Sequence, residues 1–173
     1  MPAFFLDTST VLKRYIQETG TPWVQALAAP AAGHSLIIVR ITLAETVAAI
    51  TRRERGGSIT PHDAATAVAD FQLDFARQYF IIEVSAPLVT QAASLARKHA
   101  LRGYDAVQLA AALDTQARLP SLTLLSADVD LNAAALAEGL AVDDPNSHPK
   151  IGYPLTLTTW RTDGRRYGTT ARC

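Results

Sequence analysis

Four acidic residues share one sequence context: each lies where an apolar stretch gives way to a polar turn or to the start of a helix. Asp7 ends AFFLD, and Glu45 follows SLIIVRITLA. Asp105 opens DAVQLAAAL, and Asp128 follows LTLLSA. The 173-residue chain has 16 acidic residues, so a single acid would be ordinary and the repeated context is the signal. If the four converge, a divalent cation must relieve their repulsion, so the pattern predicts a metal site.

Mg²⁺ and Mn²⁺ prefer oxygen ligands, and one to three carboxylates with waters complete their coordination. Such an ion lowers the pKa of a bound water and neutralises charge on phosphate oxygens, which is the chemistry of phosphodiester hydrolysis. Hydroxyl groups flank the two acids at strand ends and are expected to support a carboxylate, a metal-bound water or a phosphate. They belong to Thr8, Ser9, Thr10 and Ser126. The four histidines show no metal-ligand spacing.

The apolar periodicity predicts strands that alternate with helices. Strands are predicted at 2–6, 35–39, 80–84, 122–126 and 140–142. Helices are predicted after Asp7, at about 22–29, at about 43–55, from Pro61, after Ser85, at about 105–117 and at 132–139. Continuous apolar strands between helices indicate an α/β fold with a mostly parallel sheet covered on both faces. Such sheets place their sites at the carboxyl ends of the strands, where the four acids are expected to lie.

The length predicts one domain, residues 1–146, followed by a different kind of sequence. Residues 147–173 carry Gly, Pro, Thr and Arg without a clear period, and the pattern leaves the order of this appendage open. The single cysteine, Cys173, supplies neither a disulfide nor a thiolate metal site. The N-terminus has no basic leader, and no apolar run approaches the roughly 20 residues of a membrane helix. We therefore expect a cytoplasmic protein that does not enter a membrane.

Charge gives no general attraction to nucleic acid, because 16 basic residues balance 16 acidic ones. A polynucleotide substrate would need a local basic rim, a partner or a second subunit. The basic candidates are Lys13, Arg40, Arg52, Arg53 and Arg55. The arginines could line an RNA path and Lys13 could reach a phosphate, although a basic helix end or an exposed helix lysine is more often simply solvated.

Four segments resemble the acidic motifs of PIN-domain ribonucleases, and in particular those of VapC-type toxins from toxin-antitoxin pairs. They are FFLDTSTVLKRY, ITLAETVAAI, RGYDAVQLAAAL and LLSADVDLNAAALAEGLAV, and they span residues 4 to about 145. The resemblance implies a three-layer α/β/α sandwich with strand order 3-2-1-4-5. It also implies a Mg²⁺- or Mn²⁺-dependent endoribonuclease, homodimerisation and inhibition by a cognate antitoxin protein. Asp7, Glu45, Asp105 and Asp128 match the family's acids.

Three acidic residues near the end of the motifs leave alternatives open. Asp130 could replace or assist Asp128, and the spacing favours Asp128. Asp143 and Asp144 could add a second acid pair to the crevice, although a turn before Pro145 is the simpler interpretation. Family members often have Asn-Pro where this chain has Asp144-Pro145.

Each acid also has a structural interpretation. Asp7 could cap the following helix, Glu45 and Asp105 could be acids in a helix first turn, and Asp128 could belong to a turn. The functional interpretation therefore depends on the four acids together.

Two other functions are compatible with parts of the pattern. A phosphotransfer enzyme of the haloacid-dehalogenase kind also begins with a strand-end Asp. That class has a second acid where this chain has Ser9, and its lysine could only be Lys98 or Lys150. A PIN-like binding module without catalytic activity is the non-enzymatic alternative.

Overall fold

The computed structural model describes residues 2–148, in which strands and helices alternate. The strands are β1 (Ala3–Leu6), β2 (Ser35–Val39), β3 (Phe80–Ile82), β4 (Thr123–Leu125) and β5 (Ala141–Asp143). The α-helices are α1 (Thr8–Tyr15), α2 (Thr21–Ala28), α3 (Thr42–Arg55), α4 (Pro61–Arg77), α5 (Ala86–His99), α6 (Gly103–Gln116) and α7 (Val129–Ala137). Short 3₁₀ turns lie at Pro30–Ala32 and Pro145–Ser147.

The sheet has the order β3-β2-β1-β4-β5, and every neighbouring pair is parallel. This confirms the predicted five-stranded sheet and its order 3-2-1-4-5. Because all strands run the same way, their carboxyl ends meet at one edge. β1 is central, and its last residue, Leu6, is in register with Leu125 of β4. The segments after β1 and β4 therefore begin side by side.

Apolar side chains cover both faces of the sheet and make three layers. Phe5 packs in one core with residues of α5 and α6 such as Leu95 and Leu109. Leu6 packs in the other core with residues of α1 and α4 such as Val11 and Phe71. Successive residues of a strand point to opposite faces, so β1 contributes to both cores. The predicted α/β/α sandwich is confirmed.

The observed elements differ from the predicted ones mainly at their ends. β3 stops at Ile82, and α7 begins at Val129 instead of Asn132. The earlier start of α7 has a physical cause, because the Asp128 carboxylate accepts a hydrogen bond from the backbone N–H of Leu131 and so caps the helix.

The predicted boundary at residue 146 falls just before the end of the described chain. The His148 ring stacks on Trp23 with 4.2 Å between ring centroids, so His148 packs on the domain. The rest of the predicted appendage lies outside the described residues. Within residues 2–148, no helix combines the length and apolar character that crossing a membrane requires.

Candidate active site

Asp7 follows β1 directly and lies almost completely buried, with 5% of its surface exposed. Its Oδ1 accepts hydrogen bonds from the Thr10 backbone N–H at 2.9 Å and from the Ser9 hydroxyl at 2.8 Å. Burial raises the pKa of Asp7 to about 6, although the donors of Thr10, Ser9 and Ser126 lower it in part. Asp7 thus caps α1, as the structural interpretation allows, and also carries a costly buried charge at the sheet edge.

Two serines join the segment after β1 to the segment after β4. The Ser9 hydroxyl, which donates to Asp7, accepts a hydrogen bond from the Ala127 N–H at 2.8 Å. The buried Ser126 hydroxyl accepts one from the Asp128 N–H at 3.0 Å. Ser9 thus links the two segments directly, and the Ser126 side chain, which also lowers the pKa of Asp7, lies beside both acids.

Glu45 lies in the first turn of α3 and is half-buried. Its Oε2 accepts hydrogen bonds from the Thr8 hydroxyl and from the Gln108 side-chain amide, both at 2.8 Å. Thr8 begins α1 and Gln108 lies on α6, so Glu45 stands where three helices meet. The predicted role of the Thr8 hydroxyl as a carboxylate donor is met at Glu45.

Asp105 lies in the first turn of α6 with its carboxyl half-buried. Burial raises the pKa of Asp105, and the negative charges of Asp128 and Glu45 raise it further. Arg102 opposes this rise with its positive charge. Within residues 2–148 no hydrogen-bond donor reaches the Asp105 carboxylate. Asp105, Glu45 and Asp128 therefore share one electrostatic site at the carboxyl edge of the sheet.

Asp128 and Asp130 differ in their placement. Asp128 is half-buried and its Oδ1 accepts the Leu131 N–H at 2.8 Å, whereas Asp130 is exposed in the first turn of α7. Both charges raise the pKa of Asp105, and the effect of Asp128 is the larger. Asp128 is thus the more buried of the two acids and has the larger effect on Asp105.

Within residues 2–148, no group of three or more Asp, Glu, His or Cys side chains is arranged closely enough to hold a metal ion. Asp7, Glu45 and Asp128 instead direct oxygens to hydrogen-bond donors of the chain. The donors available are carboxylate and hydroxyl oxygens, and Mg²⁺ needs only one or two carboxylates because it keeps several waters. The residues fit such a cation, and its binding remains a prediction.

The basic candidates are largely engaged elsewhere. The Lys13 ammonium is buried and pairs with Glu18 at 3.2 Å, so it is not directed at a phosphate in the crevice. Arg53 pairs with the same glutamate, and Arg40 pairs with Glu83.

Two residues near the acids were not predicted from the sequence. Arg102 is exposed and close enough to Asp105 to act on its pKa, and its only sequence signal is its place in RGYD. Gln108 is buried, with 2% of its surface exposed. A polar residue within the apolar run DAVQLAAAL was the signal for Gln108.

The second acid pair forms a turn. The Asp143 carboxylate pairs with the His148 ring at 2.8 Å, and Asp144 accepts the Asn146 N–H at 2.8 Å. Both carboxylates are thus bound within the segment before and after Pro145, as the simpler interpretation expects.

The features of a phosphotransfer site are not met in residues 2–148. Ser9 stands where the second acid would be, and Lys98 pairs with Glu138 at 2.7 Å. Lys150 lies outside the described residues.

Comparison with known proteins agrees with the fold. The PIN domain family model matches residues 4–136. Ribonuclease VapC45 of Mycobacterium tuberculosis is 35% identical over 144 residues, which cover 82% of this chain and 95% of the relative.

Two solved structures share the fold. M. tuberculosis VapC20, described as a sarcin-ricin loop cleaving toxin, has a TM-score of 0.56 at 20% identity and covers 76% of this chain and 94% of its own. VapBC2 of Rickettsia felis, bound to a DNA fragment from its promoter, has a TM-score of 0.55 at 15% identity, with coverages of 82% and 98%. From the family match, the VapC relative and the parallel sheet with its four acids, we conclude that this chain belongs to the PIN domain family.

Proposed function

We propose that this protein is an endoribonuclease of the VapC toxin type that hydrolyses RNA phosphodiester bonds with a bound Mg²⁺ or Mn²⁺ ion. The observation that carries the proposal is the grouping of acids at the carboxyl edge of the sheet, where Ser9 joins the segments of Asp7 and Asp128 and Thr8, next to Asp7, donates to Glu45. The names of the VapC relatives support RNA as the substrate class. A sheet edge that concentrates acids is suited to metal-assisted chemistry on a phosphate.

One or two of the carboxylates of Asp7, Glu45, Asp105 and Asp128 would bind the cation directly, and the others would act through its waters. The cation supplies charge neutralisation at the phosphate and a water of lowered pKa. Asp105 is open to a cation because no donor reaches its carboxylate within residues 2–148, and a positive charge there relieves its repulsion from Asp128 and Glu45. Asp7 and Asp128 are kept in place by the donors of Ser9 and Leu131.

RNA must be held by local positive charge, because the chain has no net charge. Arg102 is exposed beside Asp105, and Arg52 and Arg55 are exposed on α3. These guanidinium groups are candidates for phosphate contacts. A homodimer would add a second set of basic residues, and we propose that the protein acts as such a dimer in the cytoplasm.

The family relation supports a protein partner as well. We propose a cognate antitoxin, encoded by a neighbouring reading frame, that binds this protein and blocks its site. Co-expression is expected to yield a stable complex whose RNA cleavage is at least about 10-fold below that of the free protein. A neighbouring gene product that neither co-purifies nor inhibits would contradict this part of the proposal.

RNA cleavage by purified variants tests the proposed activity. Asp105→Asn and Asp7→Asn are expected to lose on the order of 100-fold or more in cleavage rate, because each removes a charge that acts in the transition state. Asp70→Asn is the matched control, since Asp70 is exposed on α4. Sequencing of RNA ends would identify the cleaved bond. Cleavage by folded Asp105→Asn at the wild-type rate would refute the proposal, and a folded wild-type protein that cleaves no RNA with Mn²⁺ would favour the silent binding module.

A further inference from the structure

Gln108 connects three helices at the candidate site. Its side-chain nitrogen Nε2 lies 2.8 Å from Glu45 Oε2 and 3.1 Å from each of the hydroxyl oxygens of Thr8 and Thr42, so its two N–H groups are shared among three acceptors. Thr42 is fully buried, and Gln108 exposes 2% of its surface. One amide group of α6 therefore links the starts of α1 and α3 at the carboxylate of Glu45.

The orientation of the Gln108 amide is determined by the charge of Glu45. A carboxylate only accepts hydrogen bonds, so the Gln108 nitrogen must face it. This orientation leaves Gln108 Oε1 buried without a hydrogen-bond partner among the described residues. A buried acceptor without a partner costs free energy that an apolar side chain would not.

Packing alone would be served better by an apolar residue at this position. The following residues of α6, Leu109 to Ala112, are apolar and fully buried. A methionine at 108 would fill nearly the same volume without an orphaned acceptor. The presence of glutamine is therefore explained by its contact with Glu45 and the two threonines.

The contact of Gln108 with Glu45 counteracts the electrostatic repulsion between Glu45 and Asp105. Asp105 lies three residues before Gln108, which places both on one face of α6. The negative charges of Glu45 and Asp105 repel each other, and an unrestrained glutamate would move its carboxylate toward solvent. Charge-assisted donors such as the Gln108 amide and the Thr8 hydroxyl retain the carboxylate in the crevice.

We propose that Gln108 is a positioning residue that holds the Glu45 carboxylate in the crevice and thereby sets the affinity of the site for a divalent cation. The inference rests on the proposed function, because the cation is the one that RNA cleavage would use. Gln108 touches neither cation nor RNA and acts through Glu45.

The variant Gln108→Met tests this role, because it keeps the length of the side chain and removes both the donor and the orphaned acceptor. In metal-free protein titrated with Mn²⁺ by calorimetry, the dissociation constant is expected to rise about 10-fold or more. The urea midpoint measured in EDTA is expected to stay the same or to rise. The kcat of RNA cleavage is expected to fall by a similar factor while KM changes little.

Gln116→Met is the matched control on the same helix. Gln116 donates to the Gly139 carbonyl, away from Glu45, so its loss is expected to leave the Mn²⁺ affinity unchanged. Equal Mn²⁺ affinities of the two variants would overturn the proposal. Loss of the fold in Gln108→Met would also overturn it, because the amide would then be needed for packing.

A double-mutant cycle separates positioning from a general structural effect. In a Glu45→Ala background, Gln108→Met is expected to change the Mn²⁺ affinity less than about twofold, because the carboxylate that it positions is gone. The same 10-fold loss in both backgrounds would refute action through Glu45. A wild-type protein that binds Mn²⁺ but cleaves no RNA would refute the proposed function alone, since the Mn²⁺ titrations still decide the role of Gln108.

Discussion

The Asp7 carboxylate has two opposite effects on the stability of the folded protein. Its carboxylate caps α1 through the Thr10 N–H, which stabilises the helix start. The same carboxylate is buried, and its ionised form is disfavoured there. A bound cation is expected to offset the free-energy cost of this charge. The metal-free protein should therefore be less stable at neutral pH than the protein with a bound cation.

Asp7→Asn is therefore expected to stabilise the metal-free protein at neutral pH. The folded-state pKa of about 6 exceeds the ordinary value of 3.8, so between these values the folded state holds a proton that the unfolded chain has released. The free energy of unfolding of the wild type consequently falls as the pH rises through this interval. Asparagine keeps the cap without the charge, and its advantage should reach about 3 kcal/mol above pH 6.

Urea unfolding in EDTA at about pH 7.5 and again at about pH 3.5 measures this advantage. It should nearly vanish at the lower pH, where Asp7 is protonated in the folded state and mostly protonated in the unfolded chain. Asp70→Asn, an exposed control on α4, should change the stability by less than about 0.5 kcal/mol at either pH. If Asp7→Asn instead has a lower free energy of unfolding than the wild type at neutral pH, the buried charge of Asp7 does not destabilise the folded protein.

At the scale of residues, the sequence context anticipated that hydroxyl groups lie next to the acids, while the role of the four acids stays a prediction. Asp7 and Ser9 are neighbours in the chain, so their contact follows from local geometry. Gln108 lies 63 residues from Glu45 and 100 from Thr8, so its contacts exist only once α1, α3 and α6 are assembled. The pairing of Lys13 with Glu18 likewise depends on side-chain directions that periodicity does not specify.

At the scale of elements, the turn between α1 and α2 packs closely on the end of the domain. Gly20 has a φ of 86°, and a Cβ at this position would overlap the Pro145 carbonyl oxygen. The stack of Trp23 on His148 lies at the same junction, since Trp23 is on α2 and His148 follows the last turn. The segment after β5 is thus held against α2.

Gly20→Ala is expected to destabilise the protein through both backbone strain and this overlap. Gly57→Ala is the matched control, because Gly57 has a φ of 72° but nothing within 4 Å of an added Cβ. The control should lose about 1–2 kcal/mol from strain alone. Gly20→Ala should lose a further 1–3 kcal/mol or so, because the backbone must move to admit the methyl group. Urea unfolding measures the free energy of unfolding of both variants. Equal losses would show that the overlap with Pro145 adds no destabilisation.

The elements were predictable where capping and periodicity agree. Thr60 and Pro61 begin α4 as expected, with the Thr60 hydroxyl accepting the Asp63 N–H. The ends of short strands were less predictable, because strand length depends on pairing. Within residues 2–148, β3 lies at the edge of the sheet and pairs with β2 alone, so it ends at Ile82 although the predicted strand extends through Glu83 to Val84.

At the scale of the whole molecule, the central position of β1 accounts for the site. β2 and β4 flank β1, so their following segments bring α3 and α7 to Asp7. α6 adds Asp105 from the helical layer that packs on the opposite face from α1. The family resemblance predicted this strand order, whereas periodicity alone predicted only a parallel sheet.

A cation that binds only the folded protein should stabilise the whole molecule by mass action. At a Mn²⁺ concentration 100 times the dissociation constant the gain is about 2.7 kcal/mol, which corresponds to a rise of about 5–10 °C in Tm. Asp105→Asn should show little of this rise, while Asp70→Asn should retain it. A Tm that does not respond to Mn²⁺ in the wild type would exclude a tight cation site in the folded protein.

RNA cleavage with and without metal tests the central claim most directly. Protein stripped with EDTA is expected to cleave RNA at least about 100-fold more slowly than protein with Mg²⁺ or Mn²⁺, and added metal should restore the rate. Asp105→Asn should remain inactive under all three conditions. Cleavage that persists undiminished in EDTA, at the same RNA bonds, would contradict a metal-dependent site built on these four acids.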